Sequence, residues 1–126
     1  MTQPTILYIE DNPENRLLVK RVLEVEGFTV VEAESGIAGL KQAETLKPDL
    51  ILMDINLPGI DGYELTQRLK QMPHLARVPV VAMTANVMKG DREKTLAAGC
   101  DGYIQKPIDV DQLPAQVSRY IQARKP

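Results

Sequence analysis

Several residue types on which particular functions depend are scarce in this chain. The 126 residues contain one cysteine, one histidine and no tryptophan. A single cysteine, Cys100, excludes an internal disulfide, and with the single histidine, His74, it excludes a zinc site built from cysteine and histidine ligands. Because a lone cysteine is more typical of a reducing compartment, we expect the protein to be cytoplasmic.

A large charge imbalance and long apolar runs are also lacking. The formal net charge is −2, so electrostatics does not favour nucleic acid or an anionic membrane as a direct partner. The apolar runs are too short to span a bilayer, and a strand pattern begins directly after Pro4, which leaves no room for a signal peptide. A hydrophobic content of 44% is typical of a globular chain, and the length predicts one domain over residues 1–126.

Residues 50–62 organise the predicted fold. Four apolar residues, 50–53, are followed by Asp54, a pattern typical of a strand buried on both faces in a parallel sheet. A proline and two glycines within 58–62 then end regular structure in a tight loop. Asp54 is therefore expected where a central strand meets a loop, at the sheet edge where open α/β proteins bind ligands.

Apolar runs and helical patterns alternate along the rest of the chain. The predicted strands lie at residues 6–9, 28–31, 49–53, 78–82 and 103–104. Such alternation is typical of βαβ units with right-handed crossovers. We predict an α/β fold: a doubly wound, flavodoxin-like sheet of five parallel strands in the order 2-1-3-4-5, flanked by five helices.

Capping signals place the predicted helices between these strands. Helices begin after Asn12, Ser35 and Asp61, and a weaker one covers about 87–98. A capping box is predicted to open the last helix, formed by Asp109 and Gln112. The first helix, which runs to about residue 26, is predicted to bury one apolar face, formed by Leu18, Val22 and Val25.

Polar side chains follow four of the five predicted strands, at one edge of the sheet: Glu10, Asp11, Asp54, Thr84 and Lys106. Each alone is explained as a helix cap or a turn residue. Helix caps and turns do not explain why they would lie together, because two carboxylates about 4 Å apart repel by roughly 4 kcal/mol at an effective dielectric constant of about 20. Three acids therefore need a cation, and a site with oxygen ligands alone favours Mg²⁺.

Such a site suits phosphoryl transfer. With Mg²⁺ as a clamp, one carboxylate can attack phosphorus and become an acyl phosphate. Lys106 would offset charge on the phosphoryl oxygens, and Thr84 could donate a hydrogen bond to one of them. The sequence has no P-loop, no G-x-G-x-x-G run and no Ser/His/Asp arrangement.

In this order the motifs resemble the receiver domain of two-component response regulators: Glu10-Asp11, Asp54-x-Asn-x-Pro-Gly-x-Asp-Gly, Thr84-Ala85 and Lys106-Pro107. The resemblance covers about residues 5–123. It implies that Asp54 accepts a phosphoryl group from a histidine kinase or a histidine phosphotransfer protein. It also implies that Mg²⁺ is bound by four residues, three through side chains and the last through its backbone carbonyl: Glu10, Asp11, Asp54 and Asn56.

The resemblance assigns three further features. The phosphoryl group would be contacted by Thr84, the Ala85 backbone and Lys106, and the Lys106–Pro107 peptide would be cis. Tyr103 matches the aromatic switch residue, which turns inward as the threonine moves toward the phosphoryl group. Glu10 stands where many members have aspartate, which lengthens the side chain without removing its charge.

The resemblance thus implies a phosphorylation-dependent switch, here a stand-alone regulator that binds a downstream protein through its helix 4, strand 5 and helix 5. It would not be a dedicated enzyme, although it would catalyse its own Mg²⁺-dependent phosphoryl transfer and slow self-dephosphorylation. Three alternatives stay open. These are a receiver fragment of a hybrid histidine kinase, a receiver-like interaction module that takes no phosphate, and a haloacid-dehalogenase-type enzyme, which would need a second acid where Asn56 stands.

Overall fold

The computed structural model describes residues 3–85 and 89–123, except for the side chains of 89–92. Its strands are Thr5–Ile9 (β1), Thr29–Ala33 (β2), Leu50–Asp54 (β3), Val80–Thr84 (β4) and Gly102–Gln105 (β5). Its α-helices are Pro13–Val25 (α1), Gly36–Ala43 (α2), Gly62–Gln71 (α3), Lys89–Ala97 (α4) and Leu113–Gln122 (α5), with a 3₁₀ turn at Pro73–Leu75. The strands form one parallel sheet in the order β2-β1-β3-β4-β5, which confirms the predicted α/β fold. The predicted start of helix 4, residue 87, lies outside the described residues.

The helix N-caps follow the sequence signals in three places. Each cap side chain accepts a hydrogen bond from a backbone N–H of the first helical turn, at Asn12, Ser35 and Asp61. These bonds satisfy donors that have no partner inside the helix, so they fix where each helix begins.

The capping box predicted for the last helix is wrong. The N-cap of α5 is Gln112, and its side chain makes no capping hydrogen bond. Asp109 instead accepts a hydrogen bond from the backbone N–H of Asp111, at 3.0 Å. The helix begins at Leu113, with Pro114 in its first turn, where the missing N–H of proline costs no hydrogen bond.

The core consists of two layers, one on each face of the sheet. Because successive strand residues point to opposite faces, β1 supplies Ile6 and Tyr8 to one layer and Leu7 and Ile9 to the other. Helices α1 and α5 cover the first layer, and α2 and α3 cover the second. Every residue of β3 is buried, as expected for the central strand of a sheet covered on both sides.

The buried face of α1 differs from the prediction. Its fully buried residues are Val19 and Leu23, and Val22 is packed against the same layer. Leu18 and Val25 are 44% and 84% exposed. The predicted face was therefore wrong for two of its three residues. Among the described residues, no helix combines the length and the apolar character that crossing a membrane requires.

Candidate functional site

The register of the sheet brings three charged residues to the same place. Tyr8 pairs with Leu52, so two residues further on Glu10 lies beside Asp54. Thr84 pairs with Gln105, and Lys106 follows at the end of the neighbouring strand. Side chains two residues apart share a face, so Glu10, Asp54 and Lys106 all lie on the side covered by α1 and α5.

Asp54 is the last residue of β3 and is only 6% exposed. Its Oδ1 accepts a hydrogen bond from the backbone N–H of Asn56, at 2.9 Å, and its Oδ2 accepts one from Lys106 Nζ, at 3.0 Å. The main chain of the following loop and the ammonium thus hold the carboxylate from two sides. This geometry leaves Asp54 at the rim, with its orientation fixed.

Glu10 is more deeply buried than Asp54, with 1% of its surface exposed. Burial raises the pKa of its carboxyl above the usual range, and the nearby Asp54 raises it further, while Lys106 acts in the opposite direction. Its Oε1 lies 3.4 Å from Lys106 Nζ, and its Oε2 accepts a 3.4 Å hydrogen bond from the backbone N–H of Asn12. Arg16 donates to the backbone carbonyl of Glu10 at 2.8 Å, which fixes the main chain there.

Lys106 is the cation that the two acids share. Its partial burial lowers the pKa of its ammonium, but the hydrogen bond to Asp54 and the charges of Asp54 and Glu10 outweigh that effect, so the pKa is raised. The peptide bond between Lys106 and Pro107 is cis. The backbone N–H of Lys106 donates to the carbonyl of Thr84 at 2.8 Å, which ties the residue to the end of β4.

An acidic cluster is completed by Asp11. One carboxylate oxygen from each of Glu10, Asp11 and Asp54 lies within 4.8 Å of the others. Asp11 is exposed, as is Asn56, whose backbone follows β3. Three acids with oxygen donors and a single ammonium leave excess negative charge, so the residues present fit a hard divalent cation such as Mg²⁺.

The remaining predicted residues belong to β4, β5 and the turn after β4. Thr84 is the last residue of β4 and is buried, and Ala85 follows it on the exposed rim. Tyr103 is half-buried in β5, between Gly102 and Ile104, and its side chain therefore lies on the face opposite to theirs. The sheet edge thus brings together Glu10, Asp11, Asp54 and Lys106, with Thr84 at the end of the strand between β3 and β5. Tyr103 lies within β5 on the opposite face from Lys106.

One residue of the site was missed in the sequence analysis. Tyr8 is fully buried, and its hydroxyl donates a 3.3 Å hydrogen bond to Oε1 of Glu10. Burial raises the pKa of the phenol, and the neighbouring carboxylate of Glu10 raises it further. The available signal was a tyrosine two residues before a strand-end acid, because such a pair shares one face of the strand.

Known proteins resemble this chain in sequence and in fold. The family profile described as "Response regulator receiver domain" matches residues 6–118. The polar-differentiation response regulator DivK of Brucella ovis is 39% identical over 117 residues, which cover 93% of this chain and 95% of DivK.

Two solved structures are similar in fold. The receiver domain of the sensor histidine kinase PA1611 from Pseudomonas aeruginosa, whose structure has a magnesium ion coordinated in the active-site cleft, is 37% identical with a TM-score of 0.88. That match covers 97% of this chain and 100% of that domain. The chemotaxis response regulator CheY4 of Vibrio cholerae matches with a TM-score of 0.91, over 94% of this chain and 99% of the CheY4 chain. Its sequence identity is 24%, so this match supports the fold alone. The chain belongs to the response regulator receiver domain family of two-component signalling.

Proposed function

We propose that this receiver domain, over about residues 5–123, accepts a phosphoryl group on Asp54 from a phosphohistidine donor and thereby changes its binding to a partner protein. The observation that carries the proposal is the carboxylate of Asp54, held at the sheet edge 3.0 Å from Lys106 and within an acidic cluster. A carboxylate oxygen of Asp54 attacks the phosphorus, and a P–O bond forms as the P–N bond breaks. The histidine nitrogen leaves with the electron pair and takes up a proton.

The residues around Asp54 have separate tasks in this transfer. Lys106 offsets charge on the phosphoryl oxygens. Its ammonium already lies beside the Asp54 carboxylate, to which the phosphoryl group would be transferred. Thr84 ends β4 and Ala85 follows it at the same edge. The Thr84 hydroxyl and the backbone N–H of Ala85 would donate hydrogen bonds to those oxygens. The Asn56 N–H holds the carboxylate in position for attack. The domain would then lose the group slowly, by attack of water on the acyl phosphate.

The site also has the composition of a Mg²⁺ site. Side-chain ligands would come from Glu10, Asp11 and Asp54, and Asn56 would contribute its backbone carbonyl. The Mg²⁺ ion in the cleft of the similar PA1611 receiver domain supports this assignment. When bound, the ion would neutralise charge on the transferring group and on the acids.

The signal would be read on the surface formed by α4, β5 and α5. The acyl phosphate carries about −1.5 to −2 charges where the Asp54 carboxylate carried −1, and it brings three phosphoryl oxygens close to Thr84. We propose that Thr84 moves toward the phosphoryl group and that Tyr103 turns inward, which changes this surface for a downstream protein. Support comes from the half-buried Tyr103 and from Leu96 on α4, which is 48% exposed. Upstream, the donor would be a histidine kinase or a histidine phosphotransfer protein.

A receiver domain within a hybrid histidine kinase would use the same chemistry. The similarity to the receiver domain of a sensor histidine kinase supports this second setting. A dehalogenase-type enzyme is disfavoured, because residue 56 is Asn and the family is that of receiver domains.

The test is direct phosphorylation of the purified chain. Incubation with acetyl phosphate and Mg²⁺ should add one acid-stable, base-labile phosphate, and peptide mass spectrometry should locate it at Asp54. Asp54→Asn should abolish the labelling, whereas Asp111→Asn, an exposed acid before α5, should leave it unchanged. Equal labelling of wild type and Asp54→Asn would refute the assignment.

A further inference from the structure

The ring of Tyr8 packs among apolar side chains, and its hydroxyl reaches the charged residues at the sheet edge. The residue is 0% exposed, and the layer in which it packs contains aliphatic side chains such as Ile6, Leu52 and Met83. A buried hydroxyl without a hydrogen bond costs stability, so a phenylalanine would fill this volume at lower cost. The hydroxyl has a partner, Oε1 of Glu10, at 3.3 Å.

Glu10 has the length that this contact requires. Its carboxylate accepts from Tyr8 and Lys106 on Oε1 and from the Asn12 N–H on Oε2. An aspartate at position 10 is one methylene shorter, so its oxygens would lie nearer to the main chain and away from the phenol. The tyrosine and the long acid therefore act as a matched pair.

We propose that Tyr8 is a positioning residue for the metal site, whose phenol holds the Glu10 carboxylate in the orientation that binds Mg²⁺. This inference rests on the proposed function, because it assumes that Glu10 is a ligand. Groups that hydrogen-bond to metal ligands fix their rotamer before the ion arrives, and their loss typically weakens metal binding about 10- to 100-fold. Tyr8 acts here without touching the ion.

The first test is calorimetric titration of the metal-free protein with MgCl₂. Tyr8→Phe keeps the ring and removes only the hydroxyl, and it should raise the Kd for Mg²⁺ about 10-fold. Tyr120→Phe is the matched control. The Tyr120 hydroxyl donates to the Tyr103 carbonyl, also at 3.3 Å, and it packs on the same face of the sheet but away from the acids. Its loss should change the Kd less than two-fold.

A double-mutant cycle separates positioning from general core damage. In a Glu10→Asp background the shorter carboxylate at position 10 no longer reaches the phenol, so adding Tyr8→Phe should change the Kd less than two-fold. The inference is overturned if Tyr8→Phe binds Mg²⁺ as tightly as wild type, or if it weakens binding equally in both backgrounds. A wild type that does not bind Mg²⁺ at all would instead refute the proposed metal site, and this inference with it.

A spectroscopic measurement on the unmutated protein makes the test independent of how the variants fold. With isotope-labelled tyrosine, the ring carbon that bears the hydroxyl should shift for Tyr8 in proportion to Mg²⁺ saturation, because the partner carboxylate becomes a ligand. The same carbon of Tyr120 should not shift. A Tyr8 resonance that is unchanged at saturating Mg²⁺ would overturn the inference.

Discussion

Glu10→Gln should stabilise the folded protein in Mg²⁺-free buffer at pH 7. The substitution keeps the shape of the side chain and an oxygen that can accept the hydrogen bond from Tyr8, while an amide nitrogen replaces the oxygen that faces the Asn12 N–H. It also removes the charge of a side chain that is only 1% exposed. The variant therefore measures what this charge costs the fold when no metal is present.

The magnitude follows from the distances. The Glu10 and Asp54 oxygens lie within 4.8 Å, which gives a repulsion of roughly 3.5 kcal/mol at an effective dielectric constant of about 20. Lys106 Nζ lies 3.4 Å from Glu10, which gives an attraction of roughly 5 kcal/mol on the same basis. These nearly offset, so the desolvation of a buried carboxylate, of order several kcal/mol, decides the sign. We expect a gain of about 1–2 kcal/mol, or about 3–8 °C in Tm.

The pH dependence follows from the raised pKa of Glu10. Below its usual pKa of 4.5 the carboxyl is protonated in both states and costs nothing. As pH rises through 4.5, the unfolded chain ionises first, so the wild type loses stability until pH exceeds the folded-state pKa. The Tm difference between Glu10→Gln and wild type should therefore be small at pH 4 and larger at pH 7.

Thermal melts in Mg²⁺-free buffer, followed by circular dichroism at pH 4 and pH 7, measure this difference. Glu64→Gln is the control, because Glu64 is 54% exposed and its i,i+4 pair with Arg68 contributes little. That variant should stay within about 0.5 kcal/mol of wild type. If Glu10→Gln is less stable than wild type at pH 7, the burial argument is wrong.

Three further predictions concern the proposed switch and its loop. Lys106→Met should slow phosphorylation of Asp54 by acetyl phosphate about 100-fold. Lys70→Met, which removes a lysine paired with Asp101, should leave the rate unchanged. Equal rates for the wild type and both variants would contradict the role of Lys106. Tyr103→Ala should keep phosphate labelling within a few-fold of wild type but weaken phosphate-dependent partner binding by about 1–3 kcal/mol. If the affinity measured by pull-down or calorimetry is unchanged, Tyr103 has no part in the switch. Gly62→Ala places a Cβ 2.7 Å from the Ile55 carbonyl oxygen. Denaturant unfolding should therefore show that the free energy of unfolding falls by about 1–3 kcal/mol. A decrease below about 0.5 kcal/mol, the size typical of a surface substitution, would indicate that the loop after β3 can adjust.

Opposite the site, at the other end of the sheet, a cavity of about 400 Å³ is lined in part by Lys70, Arg77, Asp101 and Tyr120. Lys70 there donates to Asp101 and to the Val78 carbonyl, both at 2.8 Å. The Lys70 charge is thus already compensated within the fold. These lining residues include no member of the acidic cluster. The proposed phosphoryl transfer is therefore assigned to the sheet edge and not to this cavity.

The sequence determined the order of elements and the place of the charged rim. Alternating strand and helix patterns allow few topologies, because crossovers between parallel strands are right-handed. An apolar run that ends at Asp54 is typical of a strand buried on both faces, and parallel strands present their carboxyl ends at one edge. The sequence alone therefore predicted that the acids, the threonine and the lysine lie at that edge.

Tertiary structure alone decided which faces are buried and how the acids differ. The helical period identified α1, but Leu18 and Val25 lie beside its contact with the sheet, since the rotation of a helix is set by what it packs against. Likewise the sequence gives Glu10 and Asp11 the same charge, yet one is fully buried and the other is exposed. Strand geometry alone puts Tyr8 and Glu10 on one face of β1, but only the register of β1 against β3 places Glu10 beside Asp54. Burial depends on contacts far apart in the chain, which local sequence patterns do not encode.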